Sequence, residues 1–229
     1  MFRLRTKQPA TVFMKNKYIL FDFDGVIADS FEPAFEVNRM ICPHLTEEDY
    51  RKRFEGNINE WEKADKKHTD KCRHDIKFFD EYIPRMKECV TVVPGMDRVL
   101  ATLSKKYELI IVSSTITSPI QDFMNKFNLA SNFIEIMGND VHGSKVEKLK
   151  MIFSKYDITP KECVFITDTL GDMREAQQVQ VGTIGVDWGF HKAETLLLGR
   201  PFRIINKPED LETAVVDYFA QGVLLVESM

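Results

Sequence analysis

Tyr18-Ile19-Leu20-Phe21-Asp22-Phe23-Asp24-Gly25-Val26 is the stretch that decides the fold. A short apolar run rich in aromatic residues ends in two carboxylates one residue apart, and a glycine follows at once. Such a run is typical of a strand buried on both faces, as in a parallel sheet. Ligands bind at the carboxyl ends of the strands in open α/β sheets, so Asp22 and Asp24 are the first candidates for a site.

The two acids have more than one interpretation. Alternation along a strand sends Phe21 and Phe23 to one face and Asp22 and Asp24 towards the other. Two carboxylates this close repel each other unless a cation lies between them or one keeps its proton. A hard cation such as Mg²⁺ accepts oxygen ligands, and a partly protonated acid can act as a general acid and base. A solvated turn that merely carries two acids is the alternative, which this stretch leaves open.

Length and composition describe a globular chain that can bury a full core. Its 229 residues accommodate one large domain with an insertion or two modest domains. The formal net charge of -4 disfavours a dedicated binder of nucleic acid or of membrane surfaces. No stretch reaches transmembrane length, and we expect a cytoplasmic protein in which residues 1–14, basic and without acids, form a loose extension.

The four cysteines stand alone in the sequence, with no Cys-x-x-Cys pair among them. This pattern predicts buried or incidental thiols in a reducing compartment, and it argues against disulfides and against a zinc site. The residues are Cys42, Cys72, Cys89 and Cys163.

Residues 31–90 are predicted to form a helical insertion. The segment is dense in charges of both signs and has apolar residues at helical spacing, with Pro43 separating its first two helices. Residues 1–30 and 91–229 would then form the core. The most basic part is Lys63 to His74, whose interleaved acids favour a solvated helix face over a substrate contact.

Strands alternate with helices over the rest of the chain, which predicts a Rossmann-like α/β fold with a parallel sheet and helices on both faces. The predicted strands are Leu109–Val112, Phe133–Ile136, Cys163–Ile166, Thr183–Val186 and Phe202–Ile205. The predicted helices are Met96–Lys105, Ser118–Phe127, one beginning at Lys145, Lys192–Leu198 and Pro208–Tyr218.

Three apolar strands finish in residues that suit a phosphoryl group and a metal. If these strands are neighbours, their polar ends meet at one edge of the sheet, and a lysine that opens a helix supplies positive charge there. Taken singly, each residue has a plainer role as a strand-end hydroxyl, an exposed lysine or a helix cap. The set consists of Asp22 and Asp24, Ser113 and Ser114, Lys145, and Asp168 and Asp172.

Four motifs in this order resemble those of the haloacid dehalogenase superfamily. They stand here as Asp22-Phe-Asp24-Gly25-Val26, Ser113 after Leu109-Ile-Ile-Val, Lys145, and Asp168-Thr-Leu-Gly-Asp172. One motif is a weak signal, but four in sequence make chance agreement remote. The resemblance runs from Tyr18 to about Leu211. The stretch Ile184-Gly-Val-Asp-Trp-Gly189 is similar to the phosphoglycolate phosphatase-like subgroup, in which a small helical cap follows the first motif.

The resemblance implies a Mg²⁺-dependent phosphoric monoester hydrolase. Asp22 would be the nucleophile that forms an aspartyl-phosphate, and Asp24 would be the general acid and base. The implied phosphate-binding residues are Ser113, Ser114 and Lys145, and the implied metal ligands are Asp22, the carbonyl of Asp24, Asp168 and Asp172.

The implied substrate is a small phosphorylated metabolite of the phosphoglycolate, sugar phosphate or nucleotide type, with no nucleic-acid or membrane partner, bound by a monomer or homodimer. A phosphomutase with the same intermediate is the alternative, which Val26 mildly favours because phosphatases often have threonine there. Retention of every reactive group speaks against a catalytically silent binding protein. Candidates for substrate selection in the cap are Arg39, Arg51, Arg53, His68 and Lys71.

Three positions depart from the usual pattern of the superfamily. Val146 follows Lys145 where proline is common, Thr167 stands where glycine is frequent, and Gln180 stands where a helix-ending glycine is usual. None of them removes a reactive group. Lys148 and Lys150 are alternative candidates for the role of the motif lysine.

Overall fold

The computed structural model describes residues 17–60 and 72–227, with side chains as far as residue 221. The basic N-terminal residues and most of the basic segment before His74 therefore lie outside the described ranges. The described strands are β1 (Tyr18–Phe21), β2 (Ala28–Asp29), β3 (Thr91–Val92), β4 (Glu108–Val112), β5 (Glu135–Met137), β6 (Cys163–Thr167), β7 (Gly182–Val186) and β8 (Arg203–Ile205).

The α-helices of the described ranges surround these strands. They are α1 (Phe31–Ile41), α2 (Glu47–Lys52), α3 (Phe78–Glu88), α4 (Met96–Leu103), α5 (Thr117–Lys126), α6 (Lys145–Tyr156), α7 (Leu170–Gln178), α8 (Ala193–Leu197) and α9 (Leu211–Glu227). Pro43 lies between α1 and α2, as predicted. No helix in the described ranges is long and apolar enough to cross a membrane.

Six parallel strands form the central sheet in the order β5-β4-β1-β6-β7-β8, so the predicted Rossmann-like α/β fold is confirmed. Strand β1 is at the centre, where Phe21 pairs with Ile111 of β4 and Ile166 of β6. Ile19 and Phe21 enter the larger apolar core, and Leu20 enters the smaller core on the opposite face. A strand buried on both faces has no polar side, which explains its continuous apolar run.

The two ends of the helical segment lie next to each other. Ala28 pairs with Val92 in the antiparallel pair β2 and β3, which brackets α1, α2 and α3. Because both ends of the segment meet in this ribbon, the sheet continues from β1 to β4 without a break in its pairing.

Two elements begin later than predicted by two residues or more. The strand predicted at Phe133–Ile136 is β5, which begins only at Glu135. Ala130–Asn132 forms a 3₁₀ turn, and Phe133 packs edge-on against Phe21 before the strand begins. The last helix begins at Leu211 after a separate 3₁₀ turn at Pro208–Asp210. Apolar periodicity does not distinguish a short turn or a packed loop from the element that follows it.

The prediction that all four cysteines are thiols is wrong for one pair, since Cys42 and Cys72 form a disulfide. The two residues are 30 positions apart, and only the fold brings the end of α1 next to the chain that precedes α3. Cys89 and Cys163 are free. With a disulfide present, the cysteine pattern no longer argues for a reducing compartment.

Thiol counting tests this pairing. Alkylation with iodoacetamide in denaturant should label two cysteines before reduction and four after treatment with dithiothreitol, because only Cys89 and Cys163 are free. Intact-mass measurement gives the count, and Cys89→Ser should lower it by one in both conditions. Four labelled cysteines in the unreduced protein would show that the disulfide is absent.

Candidate active site

A cavity of about 350 Å³ lies at the carboxyl ends of β1, β4 and β6, between the sheet and the helices α1 to α3. Residues from distant parts of the chain meet there because three neighbouring parallel strands end at the same edge. Of the residues predicted for the site, the cavity is lined by Asp22, Asp24, Ser114, Lys145 and Asp172.

Lys145 joins two of these acids. Its Nζ lies 2.8 Å from Asp22 Oδ2 and 2.5 Å from Asp172 Oδ2, and all three side chains are at most one-tenth exposed. The backbone N–H of Phe23 donates to the other oxygen of Asp22 over 2.7 Å. Lys145 is the first residue of α6, so its position depends on where that helix begins.

Burial and charge set the protonation of this cluster. Burial raises the pKa of Asp22 well above its ordinary value, against the attraction of Lys145. Burial acts in the same direction on Asp172, but Lys145 and the hydrogen bonds to this carboxylate outweigh it and lower the pKa. Burial opposes the charged form of Lys145, and the two acids overcome that cost and raise its pKa. The ammonium group and the Asp172 carboxylate are therefore both charged at neutral pH.

Asp24 is held at both oxygens. The hydroxyl of Tyr82 donates to Oδ1 over 2.5 Å, and the hydroxyl of Thr115 donates to Oδ2 over 2.6 Å. Tyr82 lies on α3 and Thr115 follows β4, so the acid is oriented from the helical segment and from the core. Sequence reasoning assigned no role to either residue. Thr115 had a signal in its place after Ser113 and Ser114, whereas Tyr82 had none.

The two carboxylate oxygens of Asp168 differ in their hydrogen bonding. The backbone N–H of Phe190 donates to its Oδ2 over 2.7 Å, while Oδ1 is buried and has no hydrogen-bond partner among the described residues. Burial raises the pKa of Asp168 to about 7. Gly25, with φ of +74°, and Gly189 pass so close to this carboxylate that a Cβ at either position would collide with it. Glycine is required at both positions for this packing, and at Gly25 also for the backbone conformation.

Ser113 lies beneath the cavity. Its side chain is fully buried and its Oγ accepts the backbone N–H of Thr115 over 2.9 Å, whereas Ser114 lies on the cavity lining. Lys148 is also fully buried, and its Nζ donates to the Ser113 carbonyl oxygen. Burial and the nearby Lys145 lower the pKa of Lys148 to about 8. Lys148 therefore supports the end of β4, and Lys145 is the lysine that faces the acids.

Thr167, an atypical residue in the motif comparison, has a contact of its own. Its hydroxyl donates to Asp172 Oδ2 over 2.8 Å, which adds a second donor to the oxygen that Lys145 contacts. Lys150 forms a pair with Glu147 at 2.8 Å on the exposed face of α6, away from the acids.

The substrate-selection candidates are in different places. Arg53 lines the cavity and donates from Nη1 to Asn38 Oδ1 over 2.9 Å. Arg51 donates to the carbonyl oxygens of Gly189 and Phe190. Arg39 lies over the ring of Phe35, and His68 and Lys71 are outside the described residues. Sequence reasoning missed the aromatic lining, which consists of Tyr50, Phe54, Phe78, Phe79, Tyr82 and Phe190.

An open parallel sheet with an acid–lysine cluster at its carboxyl edge defines an α/β enzyme whose site is built from strand ends and covered by inserted helices. The chain belongs to the haloacid dehalogenase-like hydrolase family, whose model matches residues 19–186. The resemblance of the four motifs is thus confirmed at the level of the family.

Known proteins are similar to the chain along most of its length. A phosphoglycolate phosphatase from Synechococcus elongatus is 23% identical over 209 residues, which cover 89% of this chain and 99% of the relative. A hydrolase structure from Pseudomonas syringae has a TM-score of 0.72 at 17% identity, covering 88% of this chain and 98% of its own. A haloacid dehalogenase-like hydrolase from Streptococcus pneumoniae has a TM-score of 0.70 at 20% identity, covering 86% and 97%. At these identities the structures show a shared fold.

Proposed function

We propose that the protein is a Mg²⁺-dependent phosphatase that hydrolyses a small phosphate monoester through an aspartyl-phosphate on Asp22. The observation that carries this proposal is the joint placement of Asp22 and Asp24 at one cavity, the first beside the Lys145 ammonium and the second held by two hydroxyl donors. The phosphoglycolate phosphatase from Synechococcus elongatus supports the same class of reaction.

In the first step Asp22 Oδ attacks phosphorus, and the bond between phosphorus and the ester oxygen breaks. The ester oxygen leaves with a proton from Asp24. In the second step Asp24 takes a proton from water, whose oxygen attacks phosphorus. The bond to Asp22 then breaks and inorganic phosphate is released. Tyr82 and Thr115 orient Asp24 for both proton transfers, because each holds one carboxylate oxygen.

Lys145 supplies positive charge at the place where the phosphoryl group binds. Its ammonium group is buried against Asp22 and can neutralise phosphoryl oxygens as they approach this acid. Ser114 lies on the same lining and offers a hydroxyl and a backbone N–H, while Ser113 shapes the loop from below through its bond with Thr115. Both serines therefore contribute to phosphate binding in this proposal, Ser114 by contact and Ser113 through the loop.

The residues around Asp168 fit a magnesium ion. Among the described residues no group of three or more His, Cys, Asp or Glu side chains forms a ready cluster for a metal. Asp168 nevertheless has a buried carboxylate oxygen without a partner in the described part of the chain, and hard carboxylate oxygens are the donors that Mg²⁺ prefers. Asp22, the carbonyl of Asp24, Asp168 and Asp172 would hold the ion, which supplies positive charge to the phosphoryl oxygens.

Thermal unfolding tests the metal without measuring activity. Millimolar Mg²⁺ should raise the Tm of the wild-type protein, because a cation that binds only the folded state stabilises it by mass action. The same addition should leave the Tm of Asp168→Asn unchanged, since the amide cannot replace the buried carboxylate charge. Asp97→Asn, an exposed site on α4, is the matched control and should respond like the wild type. An equal shift in Asp168→Asn would remove Asp168 from the metal site.

Asp168 also predicts a pH dependence in metal-free protein. Its pKa is about 7 in the folded state against an ordinary value of 3.8, so the folded state holds a proton that the unfolded state releases in this window. This contribution to stability is complete below about pH 4 and is lost as the pH rises through 7. Asp168→Asn should therefore gain stability relative to the wild type between pH 5 and about 8, as measured by urea unfolding with a chelator present. A constant difference would contradict the assignment.

The helices α1 to α3 serve as a cap in this proposal, with residues 31–90 as the insertion and residues 1–30 and 91–229 as the catalytic core. Two observations support this division. The β2 and β3 ribbon joins both ends of the insertion, and Tyr82 of α3 contacts the catalytic acid Asp24. A cap that contacts the acid excludes water during attack and limits the substrate to a small molecule.

Phosphate release tests the proposed function. Purified protein with Mg²⁺ should release inorganic phosphate from p-nitrophenyl phosphate and from members of a panel of glycolate, sugar and nucleotide phosphates. Chelation should stop the reaction. Because only hydrolysis yields free phosphate, the assay also separates a phosphatase from a phosphomutase. Folded protein that releases no phosphate from any ester would refute the proposal.

A further inference from the structure

We propose that the substrate's leaving group carries an apolar body about the size of one ring, without a second acidic group. This inference rests on the proposed phosphatase function and names the substrate class of the same site. The observations that carry it are the chemistry of the two sides of the cavity, the existing contacts of the two cations on its described lining, and its size.

The two sides of the cavity differ in chemistry. The side formed by the sheet carries the acids and Lys145, whereas the helical segment contributes most of the aromatic rings, together with aliphatic residues and a few polar ones. Phe54, Phe78 and Phe79 are only half-buried in the described structure, so part of each ring remains uncovered beside the cavity. Binding becomes more favourable when an apolar group of the ligand covers such surface and removes it from water.

The rings are held in place by one another. Phe78 stacks on Tyr82 with ring centroids 5.0 Å apart, and Phe54 meets Phe190 edge to face at 4.7 Å. Aromatic pairs in these geometries are favourable in themselves, so the surface is formed before a ligand arrives. A preformed apolar wall needs little ordering on binding and therefore favours a ligand that covers it.

The charges on the lining disfavour a second anion on the substrate. Four carboxylates face the cavity among the described residues, against two permanently charged cations, Lys145 and Arg53. Lys145 already lies against Asp22 and Asp172, and Arg53 donates to Asn38. A carboxylate on the leaving group would therefore have to compete with these existing contacts for either cation of the described lining. The four acids are Asp22, Asp24, Asp172 and Glu175.

The size of the cavity is consistent with one ring beyond the phosphoryl group. A volume of about 350 Å³ is near the lower end for cavities that bind small molecules. A two-carbon leaving group such as glycolate leaves most of the aromatic surface uncovered. Arg53 is the residue that would bind a carboxylate if this inference were wrong, which makes phosphoglycolate the informative competitor.

The experiment compares three esters of primary alcohols at saturating Mg²⁺, namely 2-phenylethyl phosphate, ethyl phosphate and phosphoglycolate. The phenylethyl and ethyl esters differ little in the acidity of the leaving alcohol, so their kcat/KM ratio reports on the binding of the ring. We expect kcat/KM for 2-phenylethyl phosphate to exceed that for each of the other two by at least about tenfold, the usual range for selection by an apolar pocket.

Substitutions test whether the aromatic rings of the cavity cause the preference for the phenylethyl ester. Phe79→Leu removes a ring from the apolar wall and should lower the phenylethyl-to-ethyl ratio by at least about threefold. Phe78→Leu is the second variant should the first fail to fold. Phe202→Leu is the matched control, because Phe202 is also half-buried but packs against Tyr218 beside β8, and it should leave the ratio unchanged.

The outcomes separate the two proposals. Phosphoglycolate turned over as well as or better than 2-phenylethyl phosphate would overturn the substrate class and leave the phosphatase function standing. A ratio near one for the phenylethyl and ethyl esters would do the same. Folded protein that hydrolyses neither these esters nor p-nitrophenyl phosphate would overturn both.

Discussion

Asp22→Asn should lower kcat by about a thousandfold or more on every phosphate ester that the protein hydrolyses. The amide is a poor nucleophile, and without the aspartyl-phosphate the reaction loses both of its steps at once. The substitution keeps the size and shape of the side chain. Steady-state phosphate release measures the loss, and rapid acid quench with a ³²P-labelled ester should show phosphorylated wild-type protein and no phosphorylated variant.

Stability provides the control for this variant. Burial raises the pKa of Asp22, so a neutral amide at this position avoids the cost of a buried charge. We therefore expect the Tm of Asp22→Asn to equal or exceed that of the wild type. Asp29→Asn, an exposed acid at the end of β2, should leave both kcat and Tm unchanged. If Asp22→Asn retained kcat within about threefold of the wild type, the nucleophile would be another residue.

Lys145→Met should impair both turnover and folding. The buried ammonium lies within hydrogen-bond distance of Asp22 and Asp172, and its removal leaves the Asp172 carboxylate buried without a cation. Breaking a buried pair in this way costs about 3–5 kcal/mol of unfolding free energy. Removing the charge from the phosphoryl site should lower kcat by about a hundredfold or more. Urea unfolding and phosphate release measure the two effects.

The pH dependence identifies the cause of the instability. Lys145 lowers the pKa of Asp172 in the folded protein, and a lowered pKa gives stability that is complete above the unfolded value and fades as the pH falls. The difference between the wild type and Lys145→Met should therefore shrink as the pH is lowered from 7 towards about 4. A difference that is independent of pH would point to lost packing. Lys150→Met is the matched control, since its exposed pair with Glu147 is worth at most about 1 kcal/mol.

Much of the fold could be predicted because it depends on local pattern. The apolar runs at Tyr18–Phe21, Glu108–Val112 and Cys163–Thr167 are each too short for a helix and are buried on both sides. Alternation with helices leaves a parallel sheet as the solution. The prediction for β5 begins two residues too early, because the apolar side chain of Phe133 packs against Phe21 from the preceding loop and does not belong to the sheet. A single apolar residue carries no information about which partner it packs against.

For the candidate site, too, local features could be predicted and contacts between distant residues could not. The sequence predicted which acids follow the strands and which lysine begins α6, because strand ends and helix starts are local features. Thr167 looked like a departure from the motif, and in the fold its hydroxyl donates to Asp172. Lys148 looked like a rival to Lys145, and in the fold it supports the Ser113 carbonyl. Two lysines on one helix can differ in role only through what packs against each face.

The sequence by itself therefore determined the parallel α/β sheet and the family, and it predicted the candidate site residues, since each follows from residue types at short, regular spacing. Only the tertiary structure decided the disulfide between Cys42 and Cys72, the hydrogen bond from Tyr82 to Asp24 and the aromatic wall of the cavity. These features join side chains tens of residues apart. Their contacts form because the helical segment folds back over the edge of the sheet, and no local pattern records which residues meet there.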